Sequence, residues 1–109
     1  MKIKSMWTGV EYPIWLSVCE YCANRNLAIQ LWTDGMYGPE PYSTLTVNLD
    51  KKLPANQAYV DTNNMPDAEE FIEKYNLGKP TGGYRMSGFC MYPLYEFDLD
   101  ECAKYELED

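Results

Sequence analysis

The chain contains no histidine among its 109 residues. The commonest general base and metal ligand is therefore missing, and no Ser-His-Asp or Cys-His nucleophile system can be assembled from it. Basic residues are also scarce, 9 Lys and Arg against 17 Asp and Glu, for a formal charge of −8. Direct nucleic-acid binding needs Lys or Arg to displace counterions from phosphate, and no basic stripe occurs. An anionic membrane surface would repel the chain for the same reason. No stretch reaches the roughly 18 apolar residues of a membrane span. The segment from Met1 to Glu11 lacks the apolar run of a secretory signal. These absences point to the cytoplasm, where the four cysteines stay reduced.

Length allows one domain, residues 1–109, and not two with separate cores. Within it, Ile14, Leu16 and Val18 alternate with Trp15, Ser17 and Cys19, as in a strand with one buried face. The polar turn Asn24-Arg25-Asn26 follows, and Leu27 to Trp32 repeats the alternation. The segment from Asp34 to Pro41 is dense in turn formers and reads as a loop. Thr44 to Leu49 reads as a strand with its odd positions buried, and a brief strand is expected from Ala58 to Thr62. Ala68, Phe71, Ile72 and Tyr75 make a helical stripe. An Asn before Pro66 offers a cap, and Gly78 a stop. Glu69, Glu70 and Glu73 lie mostly off that stripe and read as a solvated face. Pro93 to Leu99 is the last strand, with Tyr95, Phe97 and Leu99 inward. The expected fold is α+β: an antiparallel, meander-like sheet of about four to six strands with one helix, about residues 66–77, packed on one face.

Several motifs suggest chemistry and fail its requirements. Cys19-Glu20-Tyr21-Cys22 has zinc-like spacing, but Cys90 and Cys102 form no second close pair. Residues three apart on a strand also point to opposite faces. The cysteines read instead as small buried apolar residues. Gly78-Lys79-Pro80-Thr81-Gly82-Gly83 lacks Walker spacing and follows a helix C-terminus, the wrong end for phosphate. The stretch Thr81–Gly88 reads as a loop, either a plain connector or a contact-making one carrying Tyr84, Arg85 and Met86. No catalytic residue, metal or cofactor is expected.

The sharpest positive feature is acidic. Glu96, Asp98, Asp100, Glu101, Glu106, Glu108 and Asp109 face Lys104 alone, and residues 100–109 read as an acidic C-terminal tail. Along a continuing strand, Glu96, Asp98 and Asp100 would form an outward row spaced by roughly 6.6 Å. Such a row suits a groove that normally holds phosphates, or simply an edge strand charged against aggregation. Ten tyrosines supply contact area with few rotors, and Tyr37 and Tyr84 are the candidate anchors.

Several runs carry a family resemblance. They are Leu45 to Leu49, Leu53 to Asn64, Ala68 to Ile72, Leu77 to Gly82 and Ser87 to Phe97. Together, from about Leu27 to Leu99, the chain resembles a domain-of-unknown-function family met in phages and conjugative elements of gut bacteria. The resemblance implies a mobile genetic element inside a bacterial host cell, a setting in which small acidic proteins often inhibit host defence. The leading expectation is thus a non-enzymatic, protein-binding inhibitor of anti-CRISPR or anti-restriction type, acting as a nucleic-acid mimic. Its partner would be a basic host protein such as a CRISPR effector or restriction nuclease, with no direct nucleic-acid or membrane contact. The alternatives are a non-inhibitory interaction module of the same element and, further off, a small-ligand binder or enzyme. An edge strand and spare aromatics leave a homodimer open.

Overall fold

The structure is a computed structural model that describes residues 1–4, 8–49 and 51–106. The N-terminal strands β1 (Lys2–Lys4) and β2 (Glu11–Pro13) pair as a two-stranded antiparallel sheet. The alternation from Ile14 to Cys19 becomes β3 (Trp15–Glu20), and Leu27 onward becomes β4 (Leu27–Gly35). Ile14, Leu16, Ile29 and Leu31 are fully buried, as a half-buried strand pair requires. The expected loop at Asp34–Pro41 is instead a hairpin. Gly35 pairs with Gly38 around Met36-Tyr37, and Pro39 and Pro41 enter β5 (Gly38–Thr44). Two prolines are tolerated because β5 is the outer strand of the β3-β4-β5 sheet and need not donate on its free side.

Between Thr44 and Asn48 the chain does not make the long strand expected. Only Thr46–Val47 (β6) is regular, and Thr46 is more deeply buried than Val47. The reason is a side chain standing in for backbone. Thr46 Oγ1 accepts the Ile29 N–H at 3.1 Å and shares a 2.9 Å hydrogen bond with the Tyr21 hydroxyl. Leu45 N–H meanwhile donates to Ile29 O at 2.9 Å. The meander ends at this seam. Beyond it a second, four-stranded antiparallel sheet runs β6-β7-β9-β8, with β7 at Gln57–Val60, β8 at Gly78–Ser87 and β9 at Cys90–Phe97. The class is α+β, with antiparallel pairing within each of the sheets of two, three and four strands.

Helix α1 (Ala68–Lys74) is shorter than the 66–77 expected. Asp67 occupies the N-cap without a side-chain bond. The asparagine expected to cap belongs to an earlier turn, where Asn64 N–H donates to Asp61 Oδ1 at 3.2 Å. At the other end Asn76, not Gly78, takes the left-handed conformation (φ 54°), and Leu77 N–H reaches Ile72 O at 3.0 Å. Gly78 opens β8 instead, where an added Cβ would lie 2.7 Å from Glu96 O. Ala68, Phe71 and Ile72 enter the same buried cluster as Leu16, Leu31 and Phe97. Burial of each larger side chain contributes roughly 1.5–3 kcal/mol.

A second helix, α2 (Leu99–Ala103), was not expected. Strand β9 stops at Phe97 because Asp98 turns the chain. Its side chain accepts the Glu101 N–H at 3.1 Å, and its carbonyl accepts the Cys102 N–H at 2.9 Å. Leu99 consequently points outward, 38% exposed, while Cys102 is fully buried. The tail is docked through Glu106: Tyr105 O accepts the Leu16 N–H at 2.9 Å, and the Tyr105 ring meets Tyr75 edge-on at 5.8 Å. Among the described residues no helix is long and apolar enough to cross a membrane.

Candidate protein-binding surface

The outward row of Glu96, Asp98 and Asp100 does not exist as a strand row. Glu96 lies on β9, half-buried, between Gln57 of β7 and Lys79 of β8. Asp98 is the N-cap of α2, and Asp100 and Glu101 occupy its first turn. There they oppose the positive end of a short helix dipole, so their charge also supports the local fold.

What the fold builds in place of the row is broader. A shallow depression of about 560 Å³ is lined by Asn76, Gly78, Lys79, Glu96, Asp98 and Asp100, among others. A neighbouring one of about 480 Å³ shares Asn76, Gly78 and Lys79 and is bounded by Glu69, Glu70, Glu73 and Tyr95. Six carboxylates from α1, β9 and the start of α2 thus surround one lysine. The α1 glutamates, read from sequence as a merely solvated face, belong to this surface. The link between them is turn 75–78, which folds the end of α1 directly back into β8 alongside β9.

Hydrogen bonding fixes parts of the face. The Tyr95 hydroxyl donates to Glu69 Oε1 at 2.7 Å. Burial first, and then this bond with the Glu69 and Glu73 charges, pushes the Tyr95 phenol well above its ordinary pKa. Glu101 is paired with Lys104 at 2.8 Å, which raises the lysine pKa. The other ion pair among the described residues, Lys2–Glu11 at 3.5 Å, belongs to the β1–β2 sheet. Asp98, Glu101 and Glu106 all act on the Cys102 thiol, although burial is the larger cause of its rise to about 12. Glu106 itself is exposed, and Glu108 and Asp109 lie outside the described residues.

The aromatic anchors fall elsewhere. Tyr37 is 98% exposed at the tip of the β4–β5 hairpin. Tyr84 lies on β8, past a bulge between Pro80 and Tyr84, roughly 15 Å along the strand from Lys79. The expected loop Thr81–Gly88 is therefore mostly strand, since Tyr84 to Ser87 pair with Pro93 to Cys90. Exposed Phe89, Met91 and Met36 join these tyrosines, and sequence reasoning missed all three. For Met36 and Phe89 the available signal was an apolar residue in each hairpin turn, whereas Met91 lies on β9 itself. Cys19 and Cys22 are exposed rather than buried, because Cys19 lies on the face of β3 opposite Leu16 and Val18 and Cys22 lies in the turn beyond it; only Cys102 is the small buried apolar residue expected of all four. Among the described residues, no group of three or more Cys, Asp or Glu is placed to hold a metal ion.

A family model now matches residues 15–109. The chain belongs to the domain-of-unknown-function family DUF4313. The match extends beyond the Leu27–Leu99 resemblance at both ends. It takes in β3 through α2, and with them the whole acidic face and both exposed hairpins. No curated protein and no solved structure is significantly similar to the chain.

Proposed function

We propose that this domain is a non-enzymatic inhibitor, carried by a phage or conjugative element of gut bacteria, that acts inside the host cell. Its target is a basic host protein of the defence system, a CRISPR effector or restriction nuclease. It blocks that protein by filling a groove that normally holds nucleic-acid phosphates. The observation that carries the reading is the two-lobed acidic face. Glu69, Glu70 and Glu73 continue into Glu96, Asp98 and Asp100 with Lys79 as the one lining cation. A surface of this sign steers itself toward Arg and Lys, and the encounter is fastest at low salt.

Removing the tail is a poor test, because Cys102 is buried and Tyr105 is tied to β3. The sounder perturbation converts Glu70, Glu73 and Asp100 to their amides, since all three are exposed and none makes a side-chain hydrogen bond or ion pair to another described residue. Against a panel of purified CRISPR effectors and restriction nucleases, the native chain should bind a susceptible enzyme with an association rate that falls steeply with salt. The triple amide should associate about tenfold or more slowly and with a flatter salt dependence. Inhibition that ignores salt and survives the three substitutions would remove the proposal.

A further inference from the structure

The hairpin β8–β9 is chemically unlike the rest of the molecule. Residues 80–95 contain no carboxylate and a single charge, Arg85, in a chain of net −8. Tyr84 pairs with Pro93 and Met86 with Met91, which places these four on one face of the ribbon. Tyr84 is 64% exposed, Met86 57% and Met91 54%, and Phe89 at the tip is entirely exposed. β8 is also the outer strand of its sheet. Its inner half is guarded by Pro80 and the bulge before Tyr84, but Tyr84 to Ser87 carries no proline or bulge of the kind that blunts a free edge, and its one charge is Arg85.

We infer that Tyr84–Ser87 is the contact between two copies of this chain, paired antiparallel about a two-fold axis to join two four-stranded sheets into one of eight. Charge selects this occupant. Two acidic copies can approach closely only where neither presents a carboxylate, and the same stretch offers a basic nuclease groove no attraction. Register follows from the side chains. Same-face pairing across a two-fold requires the axis to pass through a residue. An axis at Arg85 would set arginine against arginine. An axis at Met86 sets Met86 against its own copy, Arg85 against Ser87, and Tyr84 over Gly88 of the second copy, where nothing lies within 4 Å of the missing Cβ. The four exposed side chains present roughly 500 Å² per copy, taking about 200 Å² for each large side chain. A pair then buries at most on the order of 1,000 Å², the range of a weak, concentration-dependent dimer.

The inference does not rest on the acidic face, and salt separates the two. Screening the like charges strengthens the dimer as salt is added, whereas binding to a basic partner weakens. The test is sedimentation velocity on the full chain from micromolar to several hundred micromolar, at low and high salt, with amide exchange measured over the same range. The native chain should dimerise with tighter association at high salt, and the amides of Tyr84 to Ser87 should gain protection with concentration. Met86→Lys, which opposes two lysines at the axis, and Phe89→Ser at the exposed tip should each weaken association by about tenfold. A native chain that stays monomeric throughout would overturn the inference. So would a dimer that Phe89→Ser leaves unchanged and that gives residues 84–87 no added protection.

Discussion

Replacing Asp98 once by Ala and once by Asn separates its structural role from its charge. Its carboxylate is the acceptor for the Glu101 N–H, the only side-chain bond at the start of a five-residue helix. That helix holds Cys102 in the core and delivers Tyr105 O to the Leu16 N–H. Losing an N-cap acceptor to alanine typically costs about 1 kcal/mol, with a range of roughly 0.5–2. For a domain of this size that corresponds to a fall in Tm of about 5 °C. Asparagine keeps an acceptor oxygen at the same position, so Asp98→Asn should remain within about 0.3 kcal/mol of the native chain. Thermal unfolding followed by circular dichroism measures both. The local effect is read by thiol labelling: Asp98→Ala should expose Cys102 to a thiol reagent faster, because fraying of α2 uncovers it, and Asp98→Asn should not. Equal destabilisation by Ala and Asn would show that charge, not capping, holds the turn. Stability unchanged in both would refute the account of why β9 stops at Phe97.

Two further outcomes follow from buried groups. The Cys102 thiol, raised to about 12 chiefly by burial, binds its proton more tightly in the folded than in the unfolded chain. Its contribution to stability is therefore complete below about pH 9 and is lost as pH rises from there toward 12, reaching about 2 kcal/mol near pH 10.5. Urea midpoints at pH 8 and 10.5 should fall less in Cys102→Ala than in the native chain, and parallel falls would contradict this. Asn26 is buried, accepts the Leu53 N–H at 2.9 Å and donates to Lys51 O at 2.8 Å, pinning the segment after β6 against the β3–β4 turn. Asn26→Ala should cost about 2–3 kcal/mol by urea unfolding, since it strands a buried donor and frees that segment; a loss below about 0.5 kcal/mol would show that solvent replaces both bonds.

Periodicity carried the parts of the fold whose residues face one core. Ile14, Leu16, Ile29 and Leu31 alternate, and Ala68, Phe71 and Ile72 recur at helical spacing, so β3, β4 and α1 were legible from the chain alone. So was the concentration of acid near its end. Two of the misreadings share one cause, a side chain that acts on backbone. Thr46 looked like the polar half of an alternating strand, yet its hydroxyl takes the place of a ladder carbonyl and closes the seam between sheets. Asp98 looked like one acid in a row, yet it ends the strand and starts a helix. The glycines and polar residues of Thr81–Ser87 read as a loop because strand formation there depends on β9, a partner still to come in the chain.

Hydropathy pattern and composition are local quantities, and they settle the class of the domain, its buried stripes and the absence of any histidine chemistry. Which charges stand together is not local. Glu69, Glu70 and Glu73 are more than twenty residues from Glu96, Asp98 and Asp100. They meet only because the left-handed turn at Asn76 reverses the chain and β8 packs Gly78 against Glu96. The acidity belongs to the sequence. So does the lack of any acid between Pro80 and Tyr95; the gathering of the carboxylates into one face, and the pairing of the acid-free stretch into a hairpin with a free edge, belong to the way the strands pair.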